Sequence, residues 1–165
     1  MLIQIDTREQ ANCHIVRFFD CHSIDHVDTE CLIAGDYYAG GNVAIERKRN
    51  LVELAQTCGK GHQRFKRELE RAKELGIKLI VLVEEKTYFD DIEWWINPHG
   101  TVKHRALKDG TIKTLRPMNG AMMKKILDHW RAEYDIGIVF VEKKMSAYTI
   151  YKLLEEDLRN GKVCN

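Results

Sequence analysis

Apolar residues fall into short runs along the chain, and these runs predict β-strands. The runs over residues 77–83 and 136–141 are almost continuously apolar, which is typical of strands buried on both faces. The predicted strands cover residues 2–6, 26–30, 34–39, 43–48, 77–83 and 136–141. Gly40-Gly41-Asn42 is a turn signal, so residues 37–48 are predicted to form a hairpin.

The stretches between these strands show helical spacing of apolar residues. The clearest stripe is Phe65, Leu69 and Ala72, with Gly76 where a C-terminal cap belongs. The predicted helices cover residues 12–19, 51–58, 62–75, 119–134 and 147–160, with a shorter one over 89–96. Strands that alternate with crossover helices predict an α/β fold, with a mixed central β-sheet flanked by helices on both faces.

Residues 97–117 show no clear period, and we interpret them as a long basic loop or an insertion. The length of 165 residues suits one domain. No apolar run approaches the roughly 18 residues that span a bilayer. The first residues lack the pattern of a secretory signal, so we expect an intracellular protein without membrane association. The five cysteines are irregularly spaced, which argues against a disulfide framework.

Charge is balanced overall, at +1, but it is unevenly distributed. Residues 46–73 carry nine basic and four acidic side chains, and residues 101–125 carry seven and one. Residues 1–45 carry two basic and seven acidic side chains. An acidic stretch beside a basic one suits a metal site next to a phosphate-binding surface, and chance clustering on a solvated surface is the alternative.

The predicted hairpin concentrates candidate chemistry. Asp36 follows Gly35 near one arm, and Glu46, Arg47 and Lys48 occupy the other arm. Because side chains alternate along a strand, Glu46 and Lys48 share one face, which Asp36 is expected to join, while Arg47 points to the other. Two converging carboxylates suit Mg²⁺ or Mn²⁺. A lysine beside the metal can orient or deprotonate a water, or stabilise charge on a phosphate.

An acid followed ten residues later by acid-any-lysine fits the broad PD-(D/E)XK nuclease pattern. That pattern alone is weakly specific, and a surface hairpin with ordinary ion pairs is the alternative. The order of motifs is more specific: Asp6-Thr7-Arg8-Glu9 ends the first strand, Gly35-Asp36-Tyr37 follows, and Glu46-Arg47-Lys48 comes next. This arrangement over residues 1–85 resembles the nuclease domain of the XPF family of structure-specific endonucleases, in the short form of phage and bacterial members.

The resemblance implies a restriction-endonuclease-like core and a single nuclease domain over residues 1–165. The motifs would lie in residues 1–85, with an elaboration over 86–165. It implies that Asp36 and Glu46 bind Mg²⁺ or Mn²⁺, that Lys48 is catalytic, and that Asp6 and Arg8 line the site with Glu9 beside them. The family cuts DNA at junctions between duplex and single strand, where the metal ion activates water.

Two features depart from the family pattern. Val52 stands where the family usually has an aspartate, four residues after the lysine, and Glu53 is next to it as a possible substitute. The tandem helix-hairpin-helix module of many relatives is not visible in residues 86–165. Relatives use that module to dimerise and to grip duplex DNA, so a homodimer and a monomer are both open.

A row of basic residues offers a DNA-binding surface. Lys60, Arg64, Arg67 and Arg71 recur at helical spacing opposite the apolar stripe, where a solvated face with pairs such as Lys66–Glu70 is the alternative. The predicted DNA-binding residues are Arg47, Lys60, His62, Arg64, Arg67 and Arg71. The basic segment with Lys103, Arg105, Lys108, Lys113 and Arg116 is a second candidate, or a flexible solvated insertion. Trp94 and Trp95 either stack on an unpaired base or pack in the core.

The sequence therefore predicts a metal-dependent DNA endonuclease acting on branched, flap or fork structures, in the bacterial cytoplasm or a phage-infected cell. Four pathways are open for such an enzyme: DNA repair, recombination, phage replication and degradation of host DNA. One alternative is a catalytically inactive DNA-binding subunit of the same fold. Another is a junction-resolving or restriction-type PD-(D/E)XK nuclease.

Overall fold

The structure is a computed structural model that describes residues 1–161. This part of the chain forms eight strands and five helices. The strands are β1 Ile3–Asp6, β2 His26–Thr29, β3 Tyr37–Tyr38, β4 Val43–Lys48, β5 Lys78–Glu84, β6 Lys103–Ala106, β7 Ile112–Leu115 and β8 Gly137–Val141. The helices are α1 Cys13–Cys21, α2 Leu51–Cys58, α3 His62–Glu74, α4 Gly120–Tyr134 and α5 Ser146–Gly161. Short 3-10 turns lie over Asp91–Trp94 and Lys143–Met145.

Six strands form one mixed sheet in the order β2-β1-β3-β4-β5-β8. Neighbours are parallel except where β3 pairs with β1 and with β4. The β3–β4 pairing sets Tyr37 opposite Ile45, which is the hairpin that the turn signal predicted. The predicted mixed α/β sheet flanked by helices is confirmed.

Each face of the sheet carries its own apolar core. Helices α2, α3 and α4 cover one face, where Phe65 and Trp130 are buried against residues such as Val81. Helices α1 and α5 cover the other face, where Phe19 and Ile150 pack on residues such as Leu82. Strand β5 is buried on both sides, as its continuous apolar run predicted. Side chains on the two faces of β4 therefore pack in two different apolar cores.

Local signals explain where the helices begin and end. The Asn50 side chain accepts a hydrogen bond from Glu53 N at the start of α2, and Asn119 accepts one from Met122 N at the start of α4, both at 2.9 Å. Gly76 follows α3 with φ of +68°, the left-handed conformation expected of a capping glycine. None of the helices within residues 1–161 has both the length and the apolar character needed to cross a membrane.

Two sequence expectations need correction. Residues 97–117 contain the antiparallel hairpin of β6 and β7 and are therefore not a structureless loop. All four residues of β6 are exposed, so no buried stripe marked this strand in the sequence. The expected helix over 89–96 is a single 3-10 turn at Asp91–Trp94, with Ile92 as its buried anchor.

Candidate active site

A tight turn at Gly35 brings Asp36 against strand β4. Gly35 has φ of +68°, and a Cβ at this position would lie 2.6 Å from the carbonyl oxygen of Ile45. Only glycine combines this backbone conformation with so close an approach. The Asp36 N–H donates to Ile45 O at 2.7 Å, and the Gly35 N–H donates to the Glu68 carboxylate at 3.1 Å. The turn is therefore held from β4 on one side and from helix α3 on the other.

The carboxylates of Asp36 and Glu46 and the ammonium of Lys48 lie close together. Asp36 accepts a hydrogen bond from the backbone N–H of Arg47 at 2.8 Å, and Lys48 forms an ion pair with Glu46. Glu46 and Lys48 are both buried on the face of β4 that α2 and α3 cover. The structure thus brings together the three residues that the hairpin register predicted to converge.

The protonation properties of the two carboxylates reflect their crowding. Burial raises the pKa of Asp36 well above its usual value, and the neighbouring charge of Glu46 raises it further. Burial also raises the pKa of Glu46, although the attraction of Lys48 opposes that shift. Two carboxylates that lose hydration and repel each other form a site in which a bound cation would be favourable.

The donor set fits a hard divalent ion. Within residues 1–161, no group of three or more His, Cys, Asp and Glu side chains is arranged to hold a metal. Asp36 and Glu46 are close enough for the charge of one to raise the pKa of the other. Mg²⁺ is commonly bound by one or two carboxylates, with waters and substrate phosphate oxygens completing its coordination. Two acids therefore suffice for an ion that the substrate helps to bind.

Lys48 is held as a cation. Burial lowers its pKa, but the charge and the hydrogen bond of Glu46 outweigh that effect and leave the pKa raised. The Nζ atom also lies 5.7 Å from the centroid of the Phe65 ring. A protonated lysine at this place can stabilise a negatively charged phosphate, which favours that role over removal of a proton from water.

Asp6 and Arg8 form a closed pair at the end of β1. Arg8 donates from Nε and Nη2 to the two oxygens of Asp6 at 2.8 and 2.6 Å, and Leu32 N donates to the same carboxylate at 3.1 Å. The hydrogen bond from the Arg8 side chain is the main reason why the pKa of Asp6 falls to about 2. Because its oxygens are occupied, Asp6 fixes the positions of Arg8 and of the backbone at Leu32. The Arg8 side chain remains 71% exposed.

Arg47 has an internal role that contradicts its predicted contact with DNA. It is only 2% exposed, and it donates from Nε and Nη2 to both oxygens of Glu84 at 2.9 Å. Its Nη1 donates to Glu9 at 2.5 Å, and its Nη2 donates to Ala11 O at 3.1 Å. The alternation along β4 already placed this side chain on the second face. That face is covered by α1 and α5, so Arg47 cannot reach a ligand in solvent.

The residues that complete the Arg47 network were not identified from the sequence. His14 Nε2 lies 2.7 Å from Glu84 Oε1 and 3.2 Å from Ser146 Oγ, and the Ser146 hydroxyl donates to Lys143 O at 2.6 Å. Burial raises the pKa of Glu84, but the hydrogen bonds from Arg47 and His14 and the charge of Arg47 outweigh that effect and lower it. The one sequence signal for this network was Glu84, an acid at the end of β5, whose other residues are mostly apolar and buried on both faces of the sheet.

The two accessory acids differ in what they touch. Glu9 accepts a hydrogen bond from Arg47, and burial raises its pKa against the attraction of that guanidinium. Glu53 lies in the first turn of α2 and accepts from Arg49 N at 2.9 Å and from Arg49 Nε at 3.0 Å. The charge of Glu53 also acts on Lys48, so both acids border the site without joining Asp36 and Glu46.

Helix α3 presents the predicted basic row to solvent. The four exposed members are Lys60, in the turn before the helix, and Arg64, Arg67 and Arg71. Among the described residues, none of these four forms an ion pair with a carboxylate, whereas Lys66 pairs with Glu70 at 3.7 Å. His62 instead packs its ring on Trp130, with 5.1 Å between centroids. The row is thus free to meet an anion, and His62 is half-buried at its beginning.

Comparisons with known proteins agree with this architecture. XPF from Aeropyrum pernix aligns with a TM-score of 0.68 at 15% identity, over 96% of this chain and 66% of that chain. The same protein in complex with DNA gives 0.64 at 14% identity, with the same coverage. The chain therefore spans just under two thirds of the solved XPF chain. No curated protein matches the sequence.

At such identities the likeness to these structures shows the fold, and the family is shown by the sequence itself. The family model of the ERCC4 domain matches residues 5–153, which is most of the chain. The XPF-type nuclease fold predicted from the motifs is confirmed. The chain belongs to the ERCC4 domain family.

Proposed function

We propose that the protein is a divalent-metal-dependent endonuclease that hydrolyses phosphodiester bonds of DNA at branched, flap or fork structures. The observation that carries this proposal is the group formed at the end of β4 by the half-buried Asp36 and the buried Glu46 and Lys48. Membership of the ERCC4 domain family supports it. So does the likeness in fold to an XPF protein that has been solved in complex with DNA.

Asp36 and Glu46 would hold Mg²⁺ or Mn²⁺, which when bound supplies a Lewis acid and lowers the pKa of a coordinated water. Lys48, kept protonated by Glu46, stabilises negative charge on the phosphate that is being cleaved. The exposed Arg8 guanidinium, fixed by Asp6, is positioned to orient a phosphate at the border of the site. Burial of the group limits access of bulk water and strengthens these charge interactions.

The basic row explains how DNA would be held near this group. Arg64 and Arg71 are seven residues apart in α3, which corresponds to about 10 Å along the helix, and Lys60 extends the row at its beginning. Successive phosphates on one DNA strand rise by about 3.4 Å, so the row can contact several of them. Lys48 Nζ lies 5.7 Å from the centroid of Phe65, on the buried side of the same helix, so α3 borders the catalytic group with its buried side and carries the row on its exposed side. Such contacts fix the position of DNA without reading its sequence.

A cleavage assay on a panel of labelled DNAs tests the proposal. The panel contains single strand, plain duplex, 5′ flap, 3′ flap, fork and four-way junction, each with Mg²⁺, Mn²⁺ or EDTA. We expect metal-dependent cuts near a branch and none in EDTA. Cutting of plain duplex as fast as any branched DNA would instead support a restriction-type nuclease, and a clear preference for the four-way junction would support a junction-resolving one.

The second candidate is a catalytically inactive DNA-binding subunit. Val52 stands where an acid is usual in the family, and the neighbouring Glu53 is engaged by Arg49. Mn²⁺ binding distinguishes the two functions, because a scaffold has no need of a metal. If the protein binds branched DNA but neither binds Mn²⁺ nor cuts, the inactive subunit is correct, and Val52→Asp becomes the variant in which to seek activity.

A further inference from the structure

The hairpin of β6 and β7 concentrates positive charge outside the central sheet. Residues 101–118 contain five lysines and arginines but a single acid, Asp109. The exposed cations are Lys103, Arg105, Lys108, Lys113 and Arg116. The carboxylate of Asp109 accepts hydrogen bonds from the hydroxyl and the N–H of Thr111 at 2.7 and 3.0 Å, within the turn of the hairpin. We call residues 97–118 the basic arm.

The charge of the basic arm is not neutralised inside the protein. Arg105 lies directly opposite Lys113 in the β6–β7 register, and Lys103 is two residues from Arg105, so all three share one face. Among residues 1–161, no carboxylate pairs with any cation of the basic arm, whereas Lys124 just beyond it contacts Asp90 and Asp128. Like charges across a two-stranded sheet destabilise it. A polyanion bound on this face would remove that repulsion.

The base of the basic arm rests beside the basic row of α3. Gly120 N donates to Trp95 O at 2.8 Å, which anchors the arm on the turn before it. The Met118 side chain lies 3.6 Å from where a Cβ of Gly59 would be, in the turn that carries Lys60. The base of the arm therefore packs against the turn that carries Lys60, the first residue of the basic row.

The base of the arm also presents exposed aromatic surface. Trp94 is 79% exposed, while the adjacent Trp95 packs against the apolar core. Trp95 therefore packs against the core, as one of the two alternatives expected, while Trp94 is exposed and its stacking on a base stays a prediction. Exposed aromatic rings combined with a basic groove are the features by which proteins bind single strands, because any base can stack on the ring.

We propose that the basic arm and Trp94 form a binding element for an unpaired DNA strand. Lys103, Arg105 and Lys113 contact its phosphates, and the Trp94 indole stacks on a base. The proposal rests on the proposed function, and it assigns the single-stranded part of a branched substrate to this element. An acidic protein would meet the same cations, but it would not account for the exposed indole.

The test is a binding measurement in EDTA on the full chain, so that cleavage does not interfere. The variant Lys103→Gln/Arg105→Gln/Lys113→Gln is compared with Arg17→Gln/Lys152→Gln/Arg159→Gln. The second triple loses the same charge on α1 and α5, which cover the other face of the sheet. The probes are a labelled single strand of 20 nucleotides, a blunt duplex of the same sequence, and polyglutamate as an acidic peptide. Circular dichroism checks that each variant is folded.

We expect the arm triple to weaken single-strand binding at least about tenfold, and to lower the slope of log K against log salt by about 2, or about 0.7 for each lost phosphate contact. The control triple should leave that slope unchanged. Trp94→Ala should weaken single-strand binding about tenfold with an unchanged slope, because stacking releases no counterions. Duplex binding should depend mainly on α3 and change little in either case.

Equal single-strand binding by the two triples would overturn this inference while leaving the proposed function intact. The inference would also be overturned if the arm triple weakened binding of the duplex only. Tight binding of polyglutamate that is lost only in the arm triple would overturn it too, because the surface would then belong to an acidic peptide. Failure of the unaltered protein to bind any of the DNA probes would instead contradict the proposed function itself.

Discussion

Single residues at the site differ in whether they hold the structure or meet a ligand. The motifs that predicted a catalytic site include Asp6 and Arg47. The Asp6 carboxylate, however, accepts hydrogen bonds from Arg8 and from Leu32 N, and Arg47 is buried against Glu84. Among residues 1–161, Asp36 and Glu46 have no comparable partners apart from Lys48 and one backbone N–H. The motif therefore contains a candidate catalytic group and the residues that keep it in place.

The hydrogen bonds of Asp6 predict a dependence of stability on pH. Its folded-state pKa of about 2 lies below the unfolded value of about 3.9, so its stabilisation is present above that higher value and is lost as the pH falls toward 2. We expect Asp6→Asn to lower the free energy of unfolding by about 1–2 kcal/mol at pH 7, allowing for solvent screening at the exposed Arg8.

Urea unfolding of the two proteins between pH 2 and pH 7 measures this difference. The difference in free energy of unfolding between the unaltered protein and Asp6→Asn should become smaller as the pH falls from the unfolded-state pKa of Asp6 to its folded-state pKa of about 2. The exposed Asp91→Asn serves as the control and should stay close to the unaltered protein throughout. A gap that stays constant with pH would show that the Asp6 ion pair is not its source.

The contact between Arg47 and Glu84 predicts a large loss of stability from one truncation. Glu84→Ala leaves the guanidinium buried with only Glu9 and Ala11 O as partners, and removal of one member of a buried ion pair costs about 3–5 kcal/mol. Glu142→Ala is the matched control, since this acid pairs with Lys86 and Lys144 at the surface and should cost at most about 1 kcal/mol. Urea unfolding compares them, and similar losses would contradict the internal role of Arg47.

At the scale of elements, the turn before β3 decides where Asp36 lies. Gly35→Ala adds a Cβ 2.6 Å from Ile45 O at a left-handed position, and we expect it to lower the free energy of unfolding by about 1–3 kcal/mol. Gly40→Ala is an informative control, because Gly40 also has positive φ, +83°, but no atom within 4 Å of the added Cβ. Urea unfolding measures both losses of stability. The amount by which the loss for Gly35→Ala exceeds that for Gly40→Ala is the cost of the close approach between the added Cβ and Ile45 O. Equal losses would mean that the contact with β4 is unimportant.

Elements with a buried stripe were predictable, and an element without one was not. Helix α2 runs over the predicted residues, because Leu51, Leu54 and Cys58 face the core between an asparagine cap and a glycine break. Strand β6 of the β6–β7 hairpin offers no such pattern, since all four of its residues are exposed. The sequence therefore indicated the charge of this segment but not its secondary structure.

At the scale of the whole molecule, the sheet separates two groups of charged residues that are adjacent in sequence. Glu46 and Lys48 face the interior under α2 and α3, and Arg47 between them faces the interior under α1 and α5. The period of a strand predicted this separation. It could not predict the partners, because His14 lies 70 residues from Glu84 and 132 from Ser146 along the chain. Such contacts are set by packing of α1 and α5 on the sheet.

The most direct test of a metal-dependent active site at the end of β4 is the single-turnover rate of cleavage of one labelled fork in Mg²⁺. We expect Asp36→Asn and Glu46→Gln each to lower this rate on the order of 10³-fold or more, with the fold and DNA binding retained. Glu53→Gln, which alters an acid outside the Asp36–Glu46 pair, should change it much less. Cleavage by pure Asp36→Asn at close to the unaltered rate would contradict the account.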